Sequence, residues 1–84
     1  MRELNDIRKD IDELDRELLK LFLKRQALSQ EVAQYKQSHG LEIFDEAREQ
    51  EKLAALDSYP QISKEFMLTL MNFSKQAQSN YLKS

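Results

Sequence analysis

Along the first 35 residues of the chain, apolar residues recur at alternating steps of four and three: Ile7, Ile11, Leu14, Leu18 and Leu21, then Leu28, Val32 and Tyr35. Such steps put the side chains on one stripe of an α-helix, and the pattern predicts a helix from Leu4 to Ser38. Gly40 suits the left-handed position that ends a helix. Asp45 reads as the N-cap of a second helix running through about Asp57. The segment "SYPQIS" breaks that helix at Pro60 and offers Ser63 as the cap of a third, which extends to about Leu82. No stretch alternates apolar and polar residues, and one glycine and one proline leave few places for sharp reversal. The chain therefore reads as a single all-α domain, 1–84, of one long, one short and one medium helix.

The long helix has an architectural consequence. At ~1.5 Å per residue it spans about 52 Å, whereas a compact monomer of this size has a diameter of roughly 30 Å. Its stripe is apolar almost from end to end, and the residues that follow are too few to cover it. A second copy alongside would do so, giving an intertwined homodimer.

One slot in the stripe breaks the pattern. Between Leu21 and Leu28 the position facing the seam is Arg25, and Ser29, Val32 and Lys36 continue from it on one helix face. In the third helix a stripe led by Met67 and Met71 gives way to Ser74 and Gln78, beside the apolar stripe of Ile62, Phe66, Leu70, Phe73, Ala77 and Tyr81. Taken singly, each interruption has an ordinary explanation: a stem lying on the core with its head in water, an ion pair across an interface, or a residue at the boundary of the core. Together they are harder to dismiss, because each buried polar group without a partner costs ~1–3 kcal/mol. Inward-facing cations among apolar side chains suit a small dicarboxylate held by bidentate forks. The start of the second helix, "DEAREQEK", is polar throughout and on composition alone reads as a solvated face.

Composition narrows the chemistry. Thirteen basic and 15 acidic residues give a net charge of −2, which argues against nucleic-acid binding by phosphate neutralisation. There is no cysteine and a single histidine, His39, so disulfides, thiolate metal sites and two-histidine zinc motifs are excluded and no metal is expected. His39 reads as a helix-end residue without a functional role. With no run of about 18 apolar residues and no apolar leader in "MRELNDIRKD", a cytoplasmic protein without membrane contact is expected. What remains open to such a site is catalysis by positioning and electrostatics.

The stretch "IRKDIDELDRELLKLFLKRQALSQEVAQYK", followed by "DEARE" and by "SKQAQ" in the last helix, resembles the all-helical class of chorismate mutases across essentially the whole chain. The resemblance implies an intertwined dimer with two active sites and the Claisen rearrangement of chorismate to prephenate in phenylalanine and tyrosine biosynthesis, without a cofactor. It implies that Arg8 and Arg25 grip the two substrate carboxylates, while Lys36 and Gln78 donate to the ether oxygen whose bond breaks. Glu49, with Arg48 and the backbone near Asp45, would hold the ring hydroxyl, and Ser74 would lie close to a carboxylate. The connection from Glu49 to Ser74 is shorter than the family pattern, so an alternative register of the third helix places Gln76 or Asn80 inward.

Geometry adds a constraint: Arg8 and Arg25 are 17 residues apart, ~26 Å along a straight helix, too far to hold one small molecule from one chain. If both bind the same substrate, they come from different chains. Two other readings remain: an isochorismate pyruvate lyase of the same fold, and a non-catalytic helical dimerisation module. Docking on a larger enzyme of aromatic biosynthesis stays open, as does feedback regulation.

Overall fold

The computed structural model describes residues 1–83. It contains three helices in chain order, α1 (Leu4–Ser38), α2 (Glu46–Ala54) and α3 (Gln61–Lys83). The ends of α1 fall where the periodicity and Gly40 put them. Gly40 has φ +67°, the Gly40 N–H reaches Gln37 O at 3.4 Å, and the Leu41 N–H reaches Lys36 O at 2.8 Å. This is the paired Schellman closure, which satisfies carbonyls that the helix end leaves free. His39 seats its ring Nδ1 2.8 Å from Tyr35 O and stacks on the Tyr35 ring, in keeping with a helix-end role.

The Asp45 side chain caps α2, accepting from the Arg48 N–H at 3.0 Å. The far end of α2 corrects the sequence expectation, since the helix stops at Ala54 rather than near Asp57. Ahead of Pro60 the chain tightens into three-residue turns, with Leu56 N to Leu53 O, Asp57 N to Ala54 O and Tyr59 N to Leu56 O all between 2.9 and 3.1 Å. A residue before proline is pushed out of the helical region, so these turns end at Tyr59 instead of running on into α3. The start of α3 is corrected as well: Ser63 is no cap but the third residue of the helix, and its N–H bonds to Pro60 O at 2.9 Å. Pro60 stands immediately before the helix and its carbonyl accepts that bond, so it leads the chain into α3.

The single chain leaves its best apolar stripe uncovered. α3 packs along the flank of α1 that carries Phe22, Ser29, Ala33 and Lys36, with Ala33 fully buried and the Phe22 and Phe73 rings edge to face at 5.3 Å. The residues that define the periodic stripe, from Ile7 through Leu14, Leu18 and Leu21 to Leu28 and Tyr35, all remain exposed, Leu14 at 59% and Leu21 at 62%. On α3, Ile62, Phe66 and Phe73 are exposed too. The radius of gyration is 16.4 Å and the longest dimension 56 Å, against about 12 Å for a compact chain of this length. So much contiguous apolar surface is far beyond what a soluble monomer ordinarily shows.

Candidate active site

The second half of α1, the loop after it, α2 and the middle of α3 enclose a cleft of about 480 Å³. Its lining includes Arg25, Ser29, Val32 and Lys36 from α1, Asp45, Arg48, Glu49 and Lys52 from α2 and its cap, and Met71, Ser74, Lys75 and Gln78 from α3. Five of these side chains are cationic and two are carboxylates. A chain with net charge −2 has thus gathered three excess positive charges in one hollow.

Two of the cations, Arg25 and Lys36, are tied to backbone carbonyls. Arg25 Nη1 donates to Leu70 O at 3.0 Å, which ties the guanidinium to α3 and leaves most of its five N–H groups for a ligand. Burial pushes its pKa below the ordinary arginine value, although a guanidinium stays charged. Lys36 Nζ donates to Ile43 O at 2.7 Å and to Gln78 Oε1 at 3.4 Å. Two of its three protons are committed, so the ammonium is fixed in place with one proton still to give. Because Lys36 lies in the last turn of α1, its charge also sits well against the helix dipole.

The polar residues of α3 form a connected set. Gln78, 6% exposed, donates from Nε2 to Ser74 Oγ at 3.3 Å, and Ser74 Oγ lies 2.6 Å from Ser29 Oγ, with Ser29 itself 4% exposed. Ser29 Oγ is also 3.0 Å from Arg25 O, its helical neighbour one turn back. Buried polar groups with partners on both sides are rigid, and this chain runs from α1 through Ser74 to Gln78 and on to Lys36. The alternative register of α3 is set aside by the same geometry, because Gln76 and Asn80 are exposed whereas Gln78 is buried.

On α2, Glu49 pairs with Lys75 Nζ at 3.3 Å, and Arg48 makes an exposed pair with Glu51 at 3.6 Å. Lys52 lines the cleft with its ammonium pushed below the ordinary lysine value, first by burial and then by Arg48 and Arg25, with Glu51 opposing.

Seven of the eight site residues expected from the sequence therefore meet around one cleft: Arg25, Lys36, Asp45, Arg48, Glu49, Ser74 and Gln78. Arg8 does not. It is exposed on the first turns of α1, outside the cleft lining, as its separation from Arg25 requires within a single chain. Sequence reasoning gave no site role to Ser29, Lys52 or Lys75. All three carried a usable signal: Ser29 is four residues from Arg25, Lys52 is one helical turn beyond Arg48, and Lys75 is one turn from both Met71 and Gln78. Among the described residues no group of three or more His, Cys, Asp or Glu side chains is placed to hold a metal ion, and no helix is long and apolar enough to cross a membrane.

Two curated relatives align over 49 residues, 58% of this chain. The T-protein of Haemophilus influenzae is 49% identical over 13% of its own length, and a chorismate mutase of Methanocaldococcus jannaschii is 43% identical over 50% of its length. The chain thus spans half of one relative and a small part of the other. No solved structure matches it. The family model for chorismate mutase type II matches residues 7–79, nearly the whole chain and every cleft residue described above, and the protein belongs to that family.

Proposed function

We propose that the chain catalyses the rearrangement of chorismate to prephenate, in a cleft completed by a second copy of itself. The observation that carries this reading is the fixed meeting of Lys36 and Gln78, 3.4 Å apart between α1 and α3, within a cleft of five cations and two carboxylates.

The reaction needs two things from a protein. Chorismate has to fold its enolpyruvyl arm over its ring so that the carbons to be joined approach, and negative charge has to be accommodated on the ether oxygen as its bond to the ring lengthens. Arg25, tied to Leu70 O but with donors to spare, grips one carboxylate as a fork, and Arg8 of the second copy grips the other. Two forks at fixed separation select the folded conformer, and part of the barrier is lost because the conformational entropy is already spent.

Lys36 gives its remaining proton to the ether oxygen and Gln78 gives the second N–H of its amide. Both contacts strengthen as charge develops, so they favour the transition state over the ground state. Glu49, with Arg48 and the backbone beside Asp45, takes the ring hydroxyl, and Ser74 lies by a carboxylate. The second copy also covers the exposed stripe of α1, which makes dimerisation and site assembly one event.

The test is conversion of chorismate by the purified chain, followed as loss of its ultraviolet absorbance, with isochorismate and release of pyruvate as the control for lyase activity. Chorismate should be consumed. Arg25→Leu should abolish turnover while leaving the chain folded, because an apolar replacement for a half-buried charge is often neutral or stabilising. An Arg25→Leu protein as active as the parent, or a parent inert toward chorismate, would contradict the reading. The second outcome would leave the lyase if isochorismate releases pyruvate, and the helical dimerisation module if it does not.

A further inference from the structure

α2 supplies Arg48 and Glu49 to the cleft and Asp45 caps it, yet none of its side chains is buried. With only Glu49, Lys52 and Leu53 half-buried, this nine-residue helix is held weakly by packing. Polar attachments add to that hold. Lys36 Nζ fixes the preceding loop through Ile43 O at 2.7 Å, and Lys64 pairs with Asp57 beyond the far end. Between these anchors the attachment is made by a residue with no role so far, Lys75 of α3. Its Nζ lies 3.3 Å and 3.5 Å from the two carboxylate oxygens of Glu49, and 5.1 Å from the centre of the Phe44 ring. One ammonium thus bridges α3, the first turn of α2 and the residue just before its cap, by an ion pair on one side and a cation–π contact on the other.

From this geometry we infer that Lys75 is a positioning residue: it latches the start of α2 to α3, so that Glu49 is already aimed when a substrate hydroxyl arrives. The inference rests on the mutase reading for its kinetic consequence, but the latch itself is a property of the free protein. A carboxylate offers about four lone-pair positions, and Lys75 engages part of them while leaving others for a hydroxyl donor. Without the ammonium, Glu49 can turn toward water and α2 has one attachment fewer. Because the ring hydroxyl is unchanged between substrate and transition state, what is lost is binding common to both, which appears in KM rather than in kcat.

The variants are Lys75→Met, which keeps the stem and removes the charge, and Lys75→Arg, which restores it. In the free protein, amide hydrogen exchange over 46–54 should quicken several-fold in Lys75→Met while the interiors of α1 and α3 keep parental rates, and Lys75→Arg should return α2 to parental exchange. With chorismate, Lys75→Met should raise KM about fivefold with kcat within about twofold, the scale of one partly exposed ion pair. In a Glu49→Gln background the same substitution should change KM less than about twofold, because the latch has nothing left to aim. Parental exchange over 46–54 in Lys75→Met would overturn the latch. An equal KM effect with and without Glu49 would instead make Lys75 a direct substrate contact and overturn the positioning role. If the parent does not convert chorismate, the mutase reading fails, and hydrogen exchange decides the latch by itself.

Discussion

Replacing Gln78 by glutamate changes one atom of the site and tests its electrostatics directly. Gln78 is 6% exposed, with its amide oxygen 3.4 Å from Lys36 Nζ and its amide nitrogen 3.3 Å from Ser74 Oγ. A carboxylate in that place would face the ammonium at the same separation, a gross attraction of roughly 5 kcal/mol at an effective dielectric constant of 20, part of which offsets the cost of burying the charge. The ionised glutamate would present no N–H or O–H to the ether oxygen and would draw Lys36 toward itself, so both donors to the developing charge would suffer. Loss of one such donor lowers kcat by about 10²–10³ at neutral pH. A protonated glutamate carries an O–H and recovers the missing contact, so the activity of Gln78→Glu should climb as the pH falls, by up to about tenfold per unit until the carboxyl is protonated. The assay is the pH profile of kcat and kcat/KM for chorismate, parent against variant, between pH 4 and 8, with circular dichroism at each pH to show that the helices persist. A variant profile parallel to the parental one would mean that Gln78 does not touch the reacting oxygen, and the assignment of Lys36 and Gln78 to that oxygen would fail with it.

Two further outcomes follow from the same structure. The exposed stripe of α1 has no cover within the chain, so folding and dimerisation should be one transition whose thermal midpoint rises with protein concentration; a folded monomer at micromolar concentration in sedimentation would contradict this. Lys52, held below the ordinary lysine value first by burial and then by Arg48 and Arg25, costs stability while it is protonated, and that cost is relieved as pH rises from its folded-state pKa toward the unfolded value. Lys52→Met should therefore unfold at higher urea than the parent at pH 7, with the gap narrowing toward pH 10, and a gap independent of pH would show that the charge is not the cause.

The long helix was legible because its signals agree: a stripe sustained from Ile7 to Tyr35, and a glycine placed where only positive φ closes the turn. The 54–63 region was not, because "LAALD" continues a helical pattern although the chain passes into three-residue turns after Ala54, and because Ser63 looks like a cap although the helix is already under way from Gln61. Arg25, Lys36, Ser74 and Gln78 showed themselves as polar interruptions of apolar stripes. Lys75 and Lys52 are each one turn from a residue the pattern singled out, but that spacing does not say what they meet, which only the approach of α2 to α3 reveals. Which helix flank α3 would cover was likewise hidden: the chain buries the side of Ser29 and Ala33 and leaves the richer stripe exposed.

The most direct test of the shared site mixes two damaged chains. Arg8→Ala and Arg25→Ala proteins, each inactive alone, are unfolded together, refolded and assayed with chorismate after subunit exchange is verified. If each site takes Arg8 from one copy and Arg25 with Lys36 from the other, a mixed dimer holds one doubly damaged site and one intact site. Random pairing makes about half the dimers mixed, so about a quarter of all sites should be intact and activity should return from near zero to about a quarter of the parental value per site. No recovery would contradict the shared site and leave Arg8 a surface residue of α1.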